Sequence, residues 1–173
     1  NVFLKLTTNS GITGFGCGAP APEATGETDK DVLEKAKQIV EPILRNADPC
    51  RISYLIEKLK PHLKNYPATL AMVDSALWDI MAKKADLPLY KLLGGFRDRM
   101  KTSITIGIMS VEETVSHAKG FIDQGFKVIK IKGGNNVDVD IERLIKTREA
   151  IGKNIEIRFD ANQGYSVEES IRF

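Results

Sequence analysis

Along this chain the spacing of apolar residues changes from segment to segment, and each spacing predicts a different element. Val2-Phe3-Leu4-Lys5-Leu6-Thr7 has strand propensity, Asn9-Ser10-Gly11 supplies a turn, and Ile12 to Gly16 reads as the return strand of a hairpin. Residues 17 to 28 lose all periodicity and are rich in Gly, Ala, Pro and Thr, which marks a loop longer than a simple connection needs. From Asp29 to Arg45 the period is helical, with Val32, Ala36, Ile39, Val40 and Ile43 on one side and Pro42 placed to kink or interrupt it. Ile52, Leu55, Ile56 and Leu59 repeat that spacing up to Pro61. The widest stripe covers Ala68 to Lys84 through Leu70, Val73, Leu77, Ile80 and Met81; Leu87-Pro88 ends it, and Leu89 to Leu93 can form one short turn before Gly94-Gly95. Strands first and helices after predict a small α+β domain.

Beyond Gly95 strands and helices alternate. Ser103 to Ile108 reads as a strand, followed by a helix that Ser110 and Glu113 open as a capping box and Gly125 closes. Phe126 to Lys132 is the next strand, and a helix with Ile141, Leu144, Ile145 and Ile151 runs to Gly152. Ile155 to Asp160 is the third strand, and Ser166 with Glu169 caps one more helix. Such a βαβαβα run predicts a parallel sheet or barrel, so the fold class is α/β overall.

Strand alternation separates the faces. Ile104, Ile106 and Ile108, then Ile129 and Ile131, then Ile155, Ile157 and Phe159 form apolar faces ready for helices. The opposite face collects Thr105, Lys130, Lys132, Arg158 and Asp160. Parallel strands are normally apolar on both sides, and unpaired buried charge is costly, so this face must be paired, hydrated or engaged with a ligand. Either an open sheet with one wet face or a barrel with a polar interior satisfies that. A barrel explains it better, since Lys132 and Asp160 then lie at the C-terminal strand ends where barrel enzymes place their chemistry. Two lysines at i and i+2 suit a base whose pKa is lowered by a neighbouring cation and burial. An aspartate on the next strand offers a hard oxygen to Mg²⁺.

Composition narrows the partners. With 42% hydrophobic and 28% charged residues and a net charge of +2, the chain is expected to be a soluble globular protein without nucleic-acid or anionic-membrane partners. No apolar run approaches the roughly 18 to 20 residues that span a bilayer. Two cysteines, Cys17 and Cys50, suggest neither a disulfide framework nor a zinc site and suit a reducing compartment, so the expected location is cytoplasmic. His62 and His117 read as surface residues and Trp78 as packing; the loop over residues 17 to 28 reads equally as a lid or as structure.

Lys130-Ile131-Lys132, followed 28 residues later by Asp160-Ala161-Asn162-Gln163-Gly164-Tyr165, resembles the muconate-lactonizing subgroup of the enolase superfamily. Asp74-Ser75-Ala76-Leu77-Trp78-Asp79-Ile80 and Pro88-Leu89-Tyr90-Lys91-Leu92-Leu93-Gly94-Gly95 look like its capping-domain helix and barrel entry. Thr102 to Gly107 and Ala19 to Thr28 are similar to dipeptide epimerases of the L-Ala-D/L-Glu type. The resemblance implies an N-terminal capping domain over residues 1–95 and, over 96–173, the first βαβαβ part of a (β/α)7β TIM-like barrel, with the chain truncated at both ends. It further implies one Mg²⁺ ion with Asp160 as its first carboxylate ligand and Lys132 as acid/base on one face of the substrate α-carbon. Lys130 would contact the substrate carboxylate and hold Lys132 in its useful protonation state. Thr105 would touch substrate, and Asn162 would support the site from behind. The implied activity is proton removal α to a carboxylate, Mg²⁺ stabilising the enediolate, and proton return from the opposite face. The expected protein is a dipeptide epimerase acting on a small carboxylate substrate as a homo-oligomer. A cycloisomerase, o-succinylbenzoate synthase or N-acylamino acid racemase is the alternative, and a non-catalytic binding fragment the second. The 173-residue stretch alone is expected to be inactive and poorly folded.

Overall fold

The structure, a computed structural model, describes residues 1–173 and divides into two compact units, Asn1–Phe96 and Arg97–Phe173. In the first, β1 (Val2–Thr7) and β2 (Thr13–Gly18) form an antiparallel hairpin with Lys5 opposite Phe15. The short helix α1 (Pro22–Thr25) follows, then α2 (Asp29–Lys35), a π-helical segment (Ala36–Val40) and α3 (Glu41–Leu44). The unit is completed by α4 (Ile52–Leu59), α5 (Pro67–Lys84) and the single turn α6 (Leu89–Leu92).

Two details of this unit depart from the sequence reading, and a third follows it. The return strand continues to Gly18, two residues beyond Gly16, because Gly14, Gly16 and Gly18 all face α5. A Cβ added at Gly16 would lie 1.8 Å from the Met72 carbonyl oxygen, so only a bare backbone lets hairpin and helix approach so closely. The stretch expected to be unstructured contains α1, and its end is anchored: the fully buried Glu27 carboxylate accepts from the Ala68 amide at 2.5 Å, the Thr69 amide at 3.1 Å and the Thr69 hydroxyl at 2.7 Å. Those amides open α5, so Glu27 caps that helix from 41 residues away and satisfies donors its own first turn leaves unpaired. Pro42 does disturb its helix, through the π turn before it. The Glu41 amide bonds to the Ala36 carbonyl five residues back, a widening that accommodates a proline ring and its missing N–H.

The core of this unit joins Val40, Ile52, Leu55, Leu59, Leu63, Val73 and Leu77, with Trp78 packed at its margin. Each fully buried leucine contributes about 1.5–3 kcal/mol.

In the second unit, β3 (Ile104–Ile106), β4 (Val128–Lys132) and β5 (Glu156–Asp160) form a parallel sheet in chain order, Ile104 opposite Ile129 and Lys132 opposite Asp160. The helices are α7 (Val111–Asp123), α8 (Val137–Ile151) and α9 (Val167–Arg172). Ser110 and Ser166 both form the expected capping boxes, with Glu113 and Glu169. The apolar strand face packs as alternation demands: Ile106, Ile129, Ile131 and Ile155 are buried with Ala118 of α7, and Phe121, Leu144 and Phe159 border them. Strand β3 spans three residues where six were expected; Gly107 and Ile108 lie outside the ladder.

Candidate active site

The charged face of the parallel sheet gathers at its C-terminal end. Lys130 and Lys132 share a side of β4, and the parallel register sets Lys130 beside Thr105 and Arg158, and Lys132 beside Asp160. The Lys130 ammonium lies 2.7 Å from Asp160 Oδ2, a diagonal ion pair between strands. Asp160 Oδ1 accepts from the Asn162 amide at 2.9 Å, and Asn162 Oδ1 in turn accepts from Lys132 Nζ at 3.3 Å. Lys130, Lys132, Asp160 and Asn162 thus form one connected cluster. Thr105 is exposed on the adjoining strand, next to Lys130 by register. Arg158 is accounted for separately, pairing with Glu156 at 2.8 Å.

The hydrogen bond from Lys130, the Asn162 amide and the charges of both lysines hold the Asp160 carboxyl below the usual carboxylate range. It is therefore an anion at neutral pH, a state a cation ligand must have. Asn162 and Gln163 both adopt positive φ, 53° and 62°, which turns the chain back over the end of β5. Across this turn Gly134, at φ 115°, meets the neighbouring loop so closely that a Cβ there would lie 2.0 Å from the Ala161 carbonyl oxygen. The loops after β4 and β5 are thereby locked together.

Beneath the cluster lies a polar network that apolar periodicity does not reveal. Asp140 and Arg143 of α8 are 3% and 1% exposed and form an ion pair at 2.8 Å. Ile145, one of the apolar residues by which the sequence marks that helix, is 51% exposed. The available signal was the i, i+3 spacing of opposite charges on the same helix stripe as Val137 and Thr147. Burial opposes ionisation of Asp140, but hydrogen bonds from Tyr165, the Gly134 amide and Arg143 outweigh it, and its pKa is lowered. Tyr165 is driven the other way by burial and by the anion it bonds.

No three His, Cys, Asp or Glu side chains come together anywhere in the chain. Of the residues expected at the site, Asp160 alone carries a carboxylate, and it is one hard oxygen group where a metal set needs several.

Residues 1–94 match the description "Mandelate racemase / muconate lactonizing enzyme, N-terminal domain", and residues 113–173 match "Enolase C-terminal domain-like". The chain belongs to the mandelate racemase/muconate lactonizing enzyme family. Within that family it is 46% identical over its whole length to an L-Lys-D/L-Arg epimerase of Desulforapulum autotrophicum, covering 49% of that protein. It is 34% identical over 99% of its length to an L-Ala-D/L-Glu epimerase of Clostridium acetobutylicum, covering 48% of it. Among solved structures, a dipeptide epimerase of Enterococcus faecalis in complex with Mg and L-Leu-L-Tyr superposes with a TM-score of 0.90 at 34% identity, over 97% of this chain and 47% of that one. The chain thus spans about half the length of the family members it matches. No helix in it is long and apolar enough to cross a membrane.

Proposed function

We propose that this chain is part of a Mg²⁺-dependent dipeptide epimerase, its residues 1–95 forming the capping domain and 96–173 the first three strands of the barrel. The observation that carries the reading is the cluster at the strand ends: a carboxylate kept anionic, a lysine bonded to the loop behind it, and a second lysine two residues away. The identity to two epimerases along nearly the whole chain supports the same conclusion.

In this reading Lys132 takes the α-proton from one face of the dipeptide, and a second base supplied by the rest of the whole protein delivers a proton to the opposite face; in the reverse direction the two exchange roles. Lys130, with its ammonium at the same end of the sheet, draws the substrate carboxylate in. Thr105, exposed beside Lys130, contacts substrate. Asn162 holds both ends of the cluster, donating its amide to Asp160 and accepting from Lys132. Asp160 would hold the metal, with further carboxylates supplied by the rest of the whole protein. When bound, Mg²⁺ stabilises the negative charge that builds on the substrate carboxylate as the α-proton leaves. The partner is a small dipeptide, as in the Mg-bound relative complexed with L-Leu-L-Tyr, and a net charge of +2 lends a nucleic-acid partner no support.

Two free cysteines support a cytoplasmic location. Phe3 and Phe15, outward on the hairpin at 76% and 54% exposure, are consistent with a homo-oligomeric whole protein.

The test is epimerisation of dipeptides by the whole protein with Mg²⁺, followed by chiral chromatography, beside Lys132→Ala and Asp160→Asn. Inversion at one α-carbon, lost in both variants, is expected. Undiminished inversion in either variant would contradict the assignment of that residue.

A further inference from the structure

The buried network under the cluster does more than fill space. Arg143 spends four hydrogen bonds on it: Nε donates to Thr114 Oγ1 at 3.0 Å, Nη1 to Asp140 Oδ1 at 2.8 Å and to the Lys132 carbonyl at 2.9 Å, and Nη2 to the Gly107 carbonyl at 2.9 Å. Two of these acceptors are backbone oxygens at the C-terminal ends of neighbouring strands, and one belongs to Lys132 itself. The other Asp140 oxygen, Oδ2, accepts from the Gly134 amide at 2.8 Å and from the Tyr165 hydroxyl at 2.6 Å. Tyr165 stands in the same loop as Asn162, the residue that meets the Lys132 ammonium. The Gly133 amide completes the circuit by donating to the Asp160 carbonyl at 2.9 Å.

A buried ion pair is seldom the most stabilising way to fill a site, because well-packed apolar residues of similar volume often do as well or better. What the ion pair supplies here is direction. A planar guanidinium with donors in a fixed fork can hold two carbonyls and a carboxylate at set angles, which neither an apolar side chain nor a lysine can do. Two Arg143 bonds land at the ends of β3 and β4, and Asp140 carries the frame on to the loops after β4 and β5 through the Gly134 amide and the Tyr165 hydroxyl.

We infer that Asp140, Arg143 and Tyr165 are positioning residues for Lys132, tying three strand ends into one frame that fixes where its amine meets the substrate α-carbon. The inference rests on the epimerase reading for its catalytic consequence and on the hydrogen bonds alone for its structural one. Misplacing a reacting group by about 1 Å can cost about a hundred-fold in rate. Removal of one hydroxyl from the frame loosens one corner only, so a smaller loss is expected from it.

The experiment uses the whole protein with Mg²⁺ in D₂O, comparing wild type with Tyr165→Phe and Arg143→Lys. Deuterium wash-in at the α-carbon is measured from each of the two epimers of a dipeptide that the wild type turns over. Lys132→Ala identifies which epimer presents its proton to Lys132. In Tyr165→Phe, wash-in from that epimer should fall about ten-fold with KM unchanged, while wash-in from the other stays within about two-fold. Arg143→Lys should show the same asymmetry, more strongly. A global loss of stability would lower both epimers together, and either that result or no change in either would overturn the inference. Amide hydrogen exchange over residues 128–135 and 160–166 supplies a second readout that needs no activity. Faster exchange confined to those segments in Tyr165→Phe is expected, and unchanged exchange would overturn the inference. If the wild type washes deuterium into no dipeptide, the epimerase reading falls, and the amide measurement alone decides whether the frame holds the strand end.

Discussion

Lys130 and Lys132 sit two residues apart on one strand face, yet their ammonium groups meet different partners. Lys130 neutralises Asp160, whereas Lys132 reaches Asn162. A cation bound by Asp160 must therefore compete with the Lys130 ammonium for the same oxygen. In the absence of substrate, Lys130→Met in the whole protein is expected to tighten Mg²⁺ binding in calorimetry by up to about five-fold, the equivalent of an exposed ion pair worth about 1 kcal/mol at most. Under the proposed function turnover should fall nonetheless, because that proposal assigns Lys130 to draw in the substrate carboxylate. Weaker Mg²⁺ binding in that variant would contradict the competition. These residues were legible from alternation alone, since a period of two sorts Lys130, Lys132, Arg158 and Asp160 onto one side without knowledge of any contact. The Lys130–Asp160 pairing was not legible, because alternation gives a side of the sheet and says nothing of diagonal neighbours.

At the scale of elements, the decisive features are polar groups that join segments distant in sequence. Glu27 caps α5 from the loop after α1, with three donors converging on one buried carboxylate. Glu27→Ala leaves two helix amides and a hydroxyl without partners, and is expected to cost about 1–3 kcal/mol in denaturant unfolding. A loss below a few tenths would show that water replaces the carboxylate. Asp140 and Tyr165 predict how stability varies with pH. The folded state lowers the pKa of Asp140 below its ordinary 3.8, so its contribution is full above that value and is lost as pH falls through the lowered one. Tyr165 is raised above its ordinary 10.0, so its contribution is full below pH 10 and is lost as pH rises further. Denaturant unfolding of the whole protein across pH should show both limbs, and Tyr165→Phe should flatten the alkaline one. Helix α8 shows why such features escape a hydrophobicity reading. The apolar spacing includes Ile145, which is exposed, whereas the buried stripe carries Asp140 and Arg143, whose burial becomes favourable only once partners from α7, β4 and two loops have been assembled. The capping boxes at Ser110 and Ser166 were legible because both partners lie within four residues of each other.

For the molecule as a whole, the order of elements predicted the two kinds of architecture: an antiparallel hairpin with helices, then parallel strands with helices between them. The family resemblance carried by Lys130-Ile131-Lys132 and Asp160-Ala161-Asn162 agrees with the family matches over residues 1–94 and 113–173. The site is half legible for a plain reason. One carboxylate and two lysines are present, and the arrangement that would make a metal set is not gathered within these residues. The most direct test of the epimerase account is α-proton exchange by the whole protein, incubated in D₂O with Mg²⁺ and a panel of dipeptides and N-acylated amino acids, following mass and stereochemistry together. The account predicts deuterium entering one α-carbon of a dipeptide with inversion there. Exchange confined to N-acylated amino acids, or absent throughout in metal-loaded protein, would contradict it.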